Sequence, residues 1–148
     1  MPLDERARAA LKLQQNTVLA LCSVLEAARN PDRSVSSAEI AERYSASAHH
    51  LAKVLRRLVQ ARMLEASRGV GGGYRFSGNA KRLTLMDIIA LFEEVSMNPV
   101  AAASPHQTAP PVWKIIGRVL SEIDDTAKAA FSSITVSALL KLLEQDRS

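Results

Sequence analysis

The chain has 148 residues, 47% of them hydrophobic and 23% charged, a composition that fits one ordinary globular domain and excludes a disordered chain or a small disulfide scaffold. The single cysteine, Cys22, excludes an internal disulfide. No run of roughly 18 apolar residues is present to cross a bilayer, and residues 1–8 mix both charge signs without a signal's apolar stretch, so cytosol is the expected compartment and no membrane partner is expected. The formal charge of +4 is unevenly placed, because residues 43–82 hold nine basic residues against one acid, Glu65, for a net +8, and the rest of the chain carries −4. That pattern suits a polyanion-binding face.

Residues 3–15 are charged and alanine-rich and fit either a short helix or an extension. Across residues 16–29, Val18, Leu21, Cys22 and Leu25 recur at i, i+3, i+4 and i+7, one apolar stripe of a helix that Asn30, Pro31 and Asp32 stop. Ser36 followed three residues later by Glu39 is a capping box, so a second, short helix is predicted from Ser37 to Arg43 or Tyr44. Ser47 offers a new N-cap within a few residues. Two short helices joined so tightly form a helix-turn-helix.

The third predicted helix, residues 47–62, sets Leu51, Val54, Leu55 and Leu58 on one side and His49, Lys53, Arg56, Arg57 and Gln60 on the other. That polar face holds no acid. A solvated helix gains from mixed-sign i,i+4 pairs, so a one-sign face carries repulsion unless an anion is its partner. A strand over 63–67, a turn over 68–73 and a returning strand over 74–76 then make a β-hairpin, and a hairpin directly after a helix-turn-helix is a wing. The four glycines of the turn match neither a dinucleotide fingerprint nor a P-loop, since they lead into a strand and lack the required spacing.

Thr84, with Asp87 at N3, starts a fourth helix that turns Leu85, Ile88, Ile89 and Phe92 to one side. Residues 96–111, alanine-rich with Pro99, Pro105, Pro110 and Pro111, read as a linker. A long helix over 112–131 spaces Trp113, Ile116, Leu120, Ile123 and Ala127 by 3, 4, 3 and 4, a heptad-like seam, and a last helix from Thr135 carries Leu139, Leu140, Leu142 and Leu143. So much apolar surface beyond a DNA-binding-sized domain predicts a dimer, with packing back onto residues 18–25 as the intramolecular alternative. The expected organisation is an extension over 1–15, a winged helix-turn-helix over 16–95, a linker over 96–111 and a helical dimerisation region over 112–148. The fold class is mainly α, with a small hairpin wing and a long C-terminal helix.

Ser37-Ala-Glu-Ile-Ala-Glu-Arg43, the helix of Leu51 and Leu58, Ala61-Arg-Met-Leu64, Ser67-Arg-Gly-Val-Gly-Gly-Gly-Tyr74 and Leu83-Thr-Leu-Met-Asp-Ile-Ile89 together resemble the Rrf-two family of bacterial transcription regulators, over roughly residues 14–144. The resemblance implies a homodimeric winged helix-turn-helix that binds double-stranded operator DNA, usually as a repressor, with a long dimerisation helix after the wing. The family's frequent Tyr-Leu-Glu-Gln stretch falls on His50-Leu51-Ala52-Lys53, and its wing arginine, which enters the minor groove, matches Arg68. Cluster-binding members carry three cysteines between the fourth helix and the dimerisation helix, whereas residues 96–111 hold none and His106 alone cannot replace three thiolates. No iron-sulfur cluster and no other cofactor is therefore expected. Cys22, on the apolar stripe, reads as a small buried hydrophobe more than as a redox sensor.

The expected DNA-binding set follows from this placement. His49, His50 and Lys53 lie near base edges at the amino end of the recognition helix. Ser47 and the amides of the helix start suit a phosphate, with Ser37 at the start of the preceding helix. Arg56 and Arg57 suit phosphates or internal ion pairs, Arg68 the minor groove, and Gly71, Gly72 and Gly73 a close approach to the sugar-phosphate chain, beside Arg75. Tyr74 fits either core packing or a phosphate hydrogen bond. His49 and His50 at i,i+1 are expected to diverge and share no metal, and no nucleophile-base-orienter set points to an enzyme. Two further readings stay open: a winged-helix module that bridges protein partners without DNA, and a repressor that senses a small-molecule effector between dimer helices near Trp113.

Overall fold

The computed structural model describes residues 13–96 and 110–147. Among them the elements run α1 (Gln15–Arg29), α2 (Ser37–Arg43), α3 (Ala48–Gln60), β1 (Leu64–Ser67), β2 (Gly73–Phe76), α4 (Leu85–Ile89), α5 (Pro111–Ser133) and α6 (Val136–Asp146). The chain is mainly helical with one antiparallel hairpin, in which Leu64 faces Phe76 and Ser67 faces Gly73. Most of the expected extension (1–15) and linker (96–111) lies outside the described residues.

α1 differs from its predicted stripe. The helix buries Thr17, Leu19, Ala20, Ser23, Val24, Glu26, Ala27 and Ala28, whereas Val18 is 46% exposed and Leu21, Cys22 and Leu25 are only half-buried. The small side chains decide this. Ala20, Ser23 and Ala27 let α1 lie close against α3, and the Ser23 hydroxyl satisfies itself on the Leu19 carbonyl at 2.7 Å, so its burial leaves no orphan.

The helix-turn-helix is built by its caps. Ser36 Oγ accepts from the Glu39 amide at 3.1 Å while Glu39 Oε2 accepts from the Ser36 amide at 3.0 Å, the predicted capping box. α2 ends with Ser45 at φ 49°, its amide bonded to Glu42 O and the Ala46 amide to Ala41 O. α3 ends the same way, with Arg62 at φ 61°, its amide on Val59 O and the Met63 amide on Leu58 O. Both are Schellman closures made without glycine. α3 buries Leu51, Val54, Leu55 and Leu58, as its periodicity predicts, and these pack with Val24, Ile40, Leu64 and Ile88 in one core.

Two backbone junctions fix what surrounds that core. Val35 and Tyr74 exchange amide-carbonyl bonds of 2.8 Å in both directions, joining the segment before α2 to the wing. Farther on, the Leu85 amide donates to Ile134 O, the Val136 amide to Leu83 O and the Ser137 amide to Ala80 O. These bonds hold the start of α6, whose Val136 is fully buried, and α6 packs along α1. The last helix, grouped by the sequence with a dimerisation region over 112–148, thus docks on the winged-helix core.

α5 begins at a Pro110-Pro111 pair, with proline at the first helical position where its missing amide costs nothing. It touches α4 and buries only Gly117 and Asp124. Val112, Trp113, Ile115, Ile116, Val119 and Ile123 are left 44–69% exposed.

Candidate nucleic-acid interface

α3 presents the surface that the sequence singles out. Beyond its buried leucines, Ser47, His49, His50, Lys53, Arg56 and Arg57 are all exposed. Ser47 occupies the N-cap position, yet its side chain makes no cap hydrogen bond, so the hydroxyl and the first free amides of α3 remain available to an acceptor. Among the described residues, Lys53, Arg56 and Arg68 make no ion pair. The rings of His49 and His50 do not diverge as expected but meet edge to face, with centroids 6.0 Å apart. No group of three His, Cys, Asp or Glu able to hold a metal lies among the described residues.

The wing stands beside this helix. Arg68 and Gly71 are exposed and Gly72 is half-buried. Gly73 is required by its surroundings: at φ +150° an added Cβ would stand 2.6 Å from Val35 O, at the junction that holds the wing to the body. Tyr74 is half-buried against the core, which favours the packing side of its two expected roles.

Two of the expected contacts, Arg75 and Arg57, also have partners within the protein. Arg75 donates from Nε and Nη2 to Pro31 O at 3.3 and 3.1 Å, tying the wing to the loop after α1. Arg57 lies over the Phe92 ring, 5.8 Å from its centroid, at the point where the chain leaves the winged-helix body. Ser37 is the first residue of α2 and is exposed, while the capping is done by Ser36.

Sequence reasoning passed over Glu26. This carboxylate, the one acid of α1, is 7% exposed and accepts from Arg43 Nη1 at 2.5 Å and from the Tyr44 hydroxyl at 2.5 Å, with Arg29 Nη1 3.5 Å away. It therefore anchors the end of α2 and the start of the turn into α3. Burial, and then the hydrogen bond to Glu26, push the Tyr44 hydroxyl far above its ordinary range. A second carboxylate, Glu93, receives the Gln14 amide at 2.8 Å and the Thr17 hydroxyl, holding the start of α1 to the segment after α4.

Residues 13–142 match the model of the family described as Rrf2, iron-dependent transcriptional regulator. The chain belongs to the Rrf2 (Rrf-two) family. It is 47% identical over 138 residues, 93% of this chain and 86% of the relative, to a protein described as the HTH-type transcriptional regulator BadM of Rhodopseudomonas palustris. A Synechocystis protein described as the HTH-type transcriptional regulator slr0846 is 29% identical over 130 residues, 87% of each chain. Among solved structures, IscR of T. potens superposes with a TM-score of 0.75 at 22% identity, covering 95% of this chain and 93% of that one. CymR, the global cysteine regulator of B. subtilis, superposes with a TM-score of 0.71 at 23% identity, covering 89% and 98%. Those two likenesses carry the winged-helix fold. The family and the sequence relatives make this Rrf2 chain a transcriptional regulator and not an enzyme.

The family description brings iron with it, and the donors of this Rrf2 chain do not fit a cluster. Cys22 is the sole cysteine, and residues 97–109 hold one histidine, His106, and no thiol. Cys22 is half-buried on α1, its thiol pushed up first by burial and then by the Glu26 charge. A ligand thiol must ionise easily, and this one is held in the opposite direction.

Proposed function

We propose that this Rrf2 regulator binds operator DNA as a homodimer, represses transcription by occupying the operator, and does so without an iron-sulfur cluster. The observation that carries the reading is the outer face of α3, where His49, His50, Lys53 and Arg56 stand exposed with no acid among them and no ion pair to any other described residue. A phosphate backbone supplies the missing countercharge.

In this reading α3 enters the major groove amino end first. Lys53 donates to guanine O6 or N7, and His49 and His50 reach base edges or a phosphate. Ser47 and the unbonded amides of the helix start bind a phosphate, aided by the helix dipole. Arg68 follows the wing into the adjacent minor groove. Glu26 keeps Arg43 and Tyr44 in place, so that α3 meets DNA at a fixed angle. Arg75 and Tyr74 act on the wing's own structure, and Arg57 supports the exit to α5 from above Phe92.

The apolar face of α5 supports the dimer. Trp113, Ile116 and Ile123 of the predicted seam are exposed, and Val112, Ile115 and Val119 widen it. Leu120 and Ala127 are half-buried. A second copy of α5 is the self-complementary surface that removes this stripe from water and places two recognition helices on one duplex.

The test is selection of bound duplexes from a random-sequence library with the full chain, which yields an enriched site of two related half-sites about one helical turn apart. Enrichment of no sequence overturns the reading. Anaerobic incubation with iron and sulfide leaves the protein colourless; a stable brown protein with visible absorption contradicts the cluster-free part.

A further inference from the structure

Val70 is the large hydrophobic residue left most open to solvent among those described, with full exposure at the tip of the wing. Glycines flank it, Gly69 at φ +96° and Gly71 at φ +76°, and the Gly72 amide closes the turn on Gly69 O at 3.0 Å. Val70 is thus the second residue of a four-residue turn whose third carries positive φ, the arrangement of a type II turn. A Cβ at Gly69 or Gly71 would meet nothing within 4 Å, so the tip is bare on either side of the isopropyl group. Such solvent turns ordinarily carry Asn, Asp or Ser, whose side chains bond the local backbone. Here the apex is a β-branched hydrocarbon, and Arg68 stands two residues before it.

The geometry points to Val70 as a specificity-determining residue that selects A·T pairs in the minor groove beneath the wing, an inference that rests on the operator-binding reading above. The minor-groove floor of an A·T pair offers only the acceptors adenine N3 and thymine O2, whereas a G·C pair adds the guanine N2 amino donor. An isopropyl group seated there strips water from that amino group and gives it no acceptor, so G·C carries a penalty that A·T escapes. The narrow, strongly negative groove of an A-tract also attracts Arg68, so charge and hydrocarbon favour the same sequence. Apolar side chains enter the minor groove in other architectures as well, where they wedge between base steps.

The experiment uses the full chain and a duplex selected by it from a random library, with the wing-facing positions located by hydroxyl-radical protection. A·T pairs there are replaced by G·C or by inosine·C, which lacks the N2 amino group. The expected result is about tenfold weaker binding to the G·C duplex and recovery with inosine·C. Val70→Thr, nearly the same shape with a hydroxyl that accepts from the amino group, cuts the G·C penalty to about twofold or less. Its unfolding midpoint stays at the wild-type value because the side chain is fully exposed. Equal binding to the G·C and inosine·C duplexes, or a full penalty kept by Val70→Thr, overturns the inference. If Arg68→Ala still weakens binding in that case, the operator reading stands and the role of Val70 alone falls. If no duplex is enriched, both fall.

Discussion

Arg43 donates to Glu26 across 2.5 Å, joining the last residue of α2 to a buried carboxylate of α1. Tyr44 donates to the other oxygen of the same carboxylate, so two neighbouring residues leading into the turn are held by one group. Hydrogen bonds to a charged acceptor contribute more than neutral ones, and Glu26→Ala is expected to cost about 2 kcal/mol of folding stability. For a chain of this length that lowers Tm by roughly 5 °C. Arg43→Ala leaves the buried Glu26 carboxylate bonded to the Tyr44 hydroxyl and 3.5 Å from Arg29, so it is expected to cost less than Glu26→Ala. The double variant is expected to cost less than the sum of the two, by on the order of 1 kcal/mol. Chemical denaturation of the three variants checks this, and a Glu26→Ala protein as stable as the parent contradicts it.

Gly71 and Gly73 both have positive φ, but only Gly73 is crowded. Alanine at 71 is expected to cost about 1 kcal/mol from the backbone alone. Alanine at 73 also meets Val35 O, so it either breaks the Val35–Tyr74 junction or moves the wing, at roughly 3 kcal/mol. Urea unfolding ranks the two variants, and equal losses would show that the junction does not set the wing's position.

The raised thiol of Cys22 makes two measurable statements. The neutral form is favoured in the folded protein, so its contribution to stability is fully present below the unfolded value near 9.0 and is lost as pH rises through the higher folded value. Iodoacetamide at pH 8 is expected to label Cys22 at least about tenfold more slowly in the native protein than in urea. Labelling at the same rate in both states would reopen the redox-sensor reading.

On α5, Ile116 and Ile123 are seven residues apart on the exposed face. A glutamate at either position puts a charge in the centre of the proposed dimer seam. Sedimentation is expected to show a dimer for the wild type and a monomer for Ile116→Glu, with far-ultraviolet circular dichroism unchanged, since the side chain makes no part of the buried core. A variant that stays dimeric places the interface elsewhere.

Much of this was legible in the chain. Ser36 with Glu39 announced a capping box and Thr84 with Asp87 a helix start, and the structure closes both as capping boxes, while Leu51, Val54, Leu55 and Leu58 gave α3 its buried side. Other features left no local signature. α1 packs through alanine and serine, so the periodicity of its largest apolar residues points one position away from the true face. Ser45 and Arg62 close their helices in the left-handed region without the glycine that marks such ends. Arg43 and Tyr44 lie 17 and 18 residues from Glu26, and Pro31 lies 44 from Arg75, so only the fold brings these partners together.

The positive face of α3, whose Lys53 and Arg56 make no ion pair among the described residues, is proposed to meet the phosphates of duplex DNA together with the wing. The most direct measurement is the affinity of the full chain for its selected duplex as a function of salt. With six to ten phosphate contacts per dimer, affinity is expected to fall roughly a thousandfold or more between about 50 and 200 mM salt. Arg56→Ala should lower the slope by about one phosphate contact per protomer. Binding that is weak and flat across that range would contradict phosphate contact through this face.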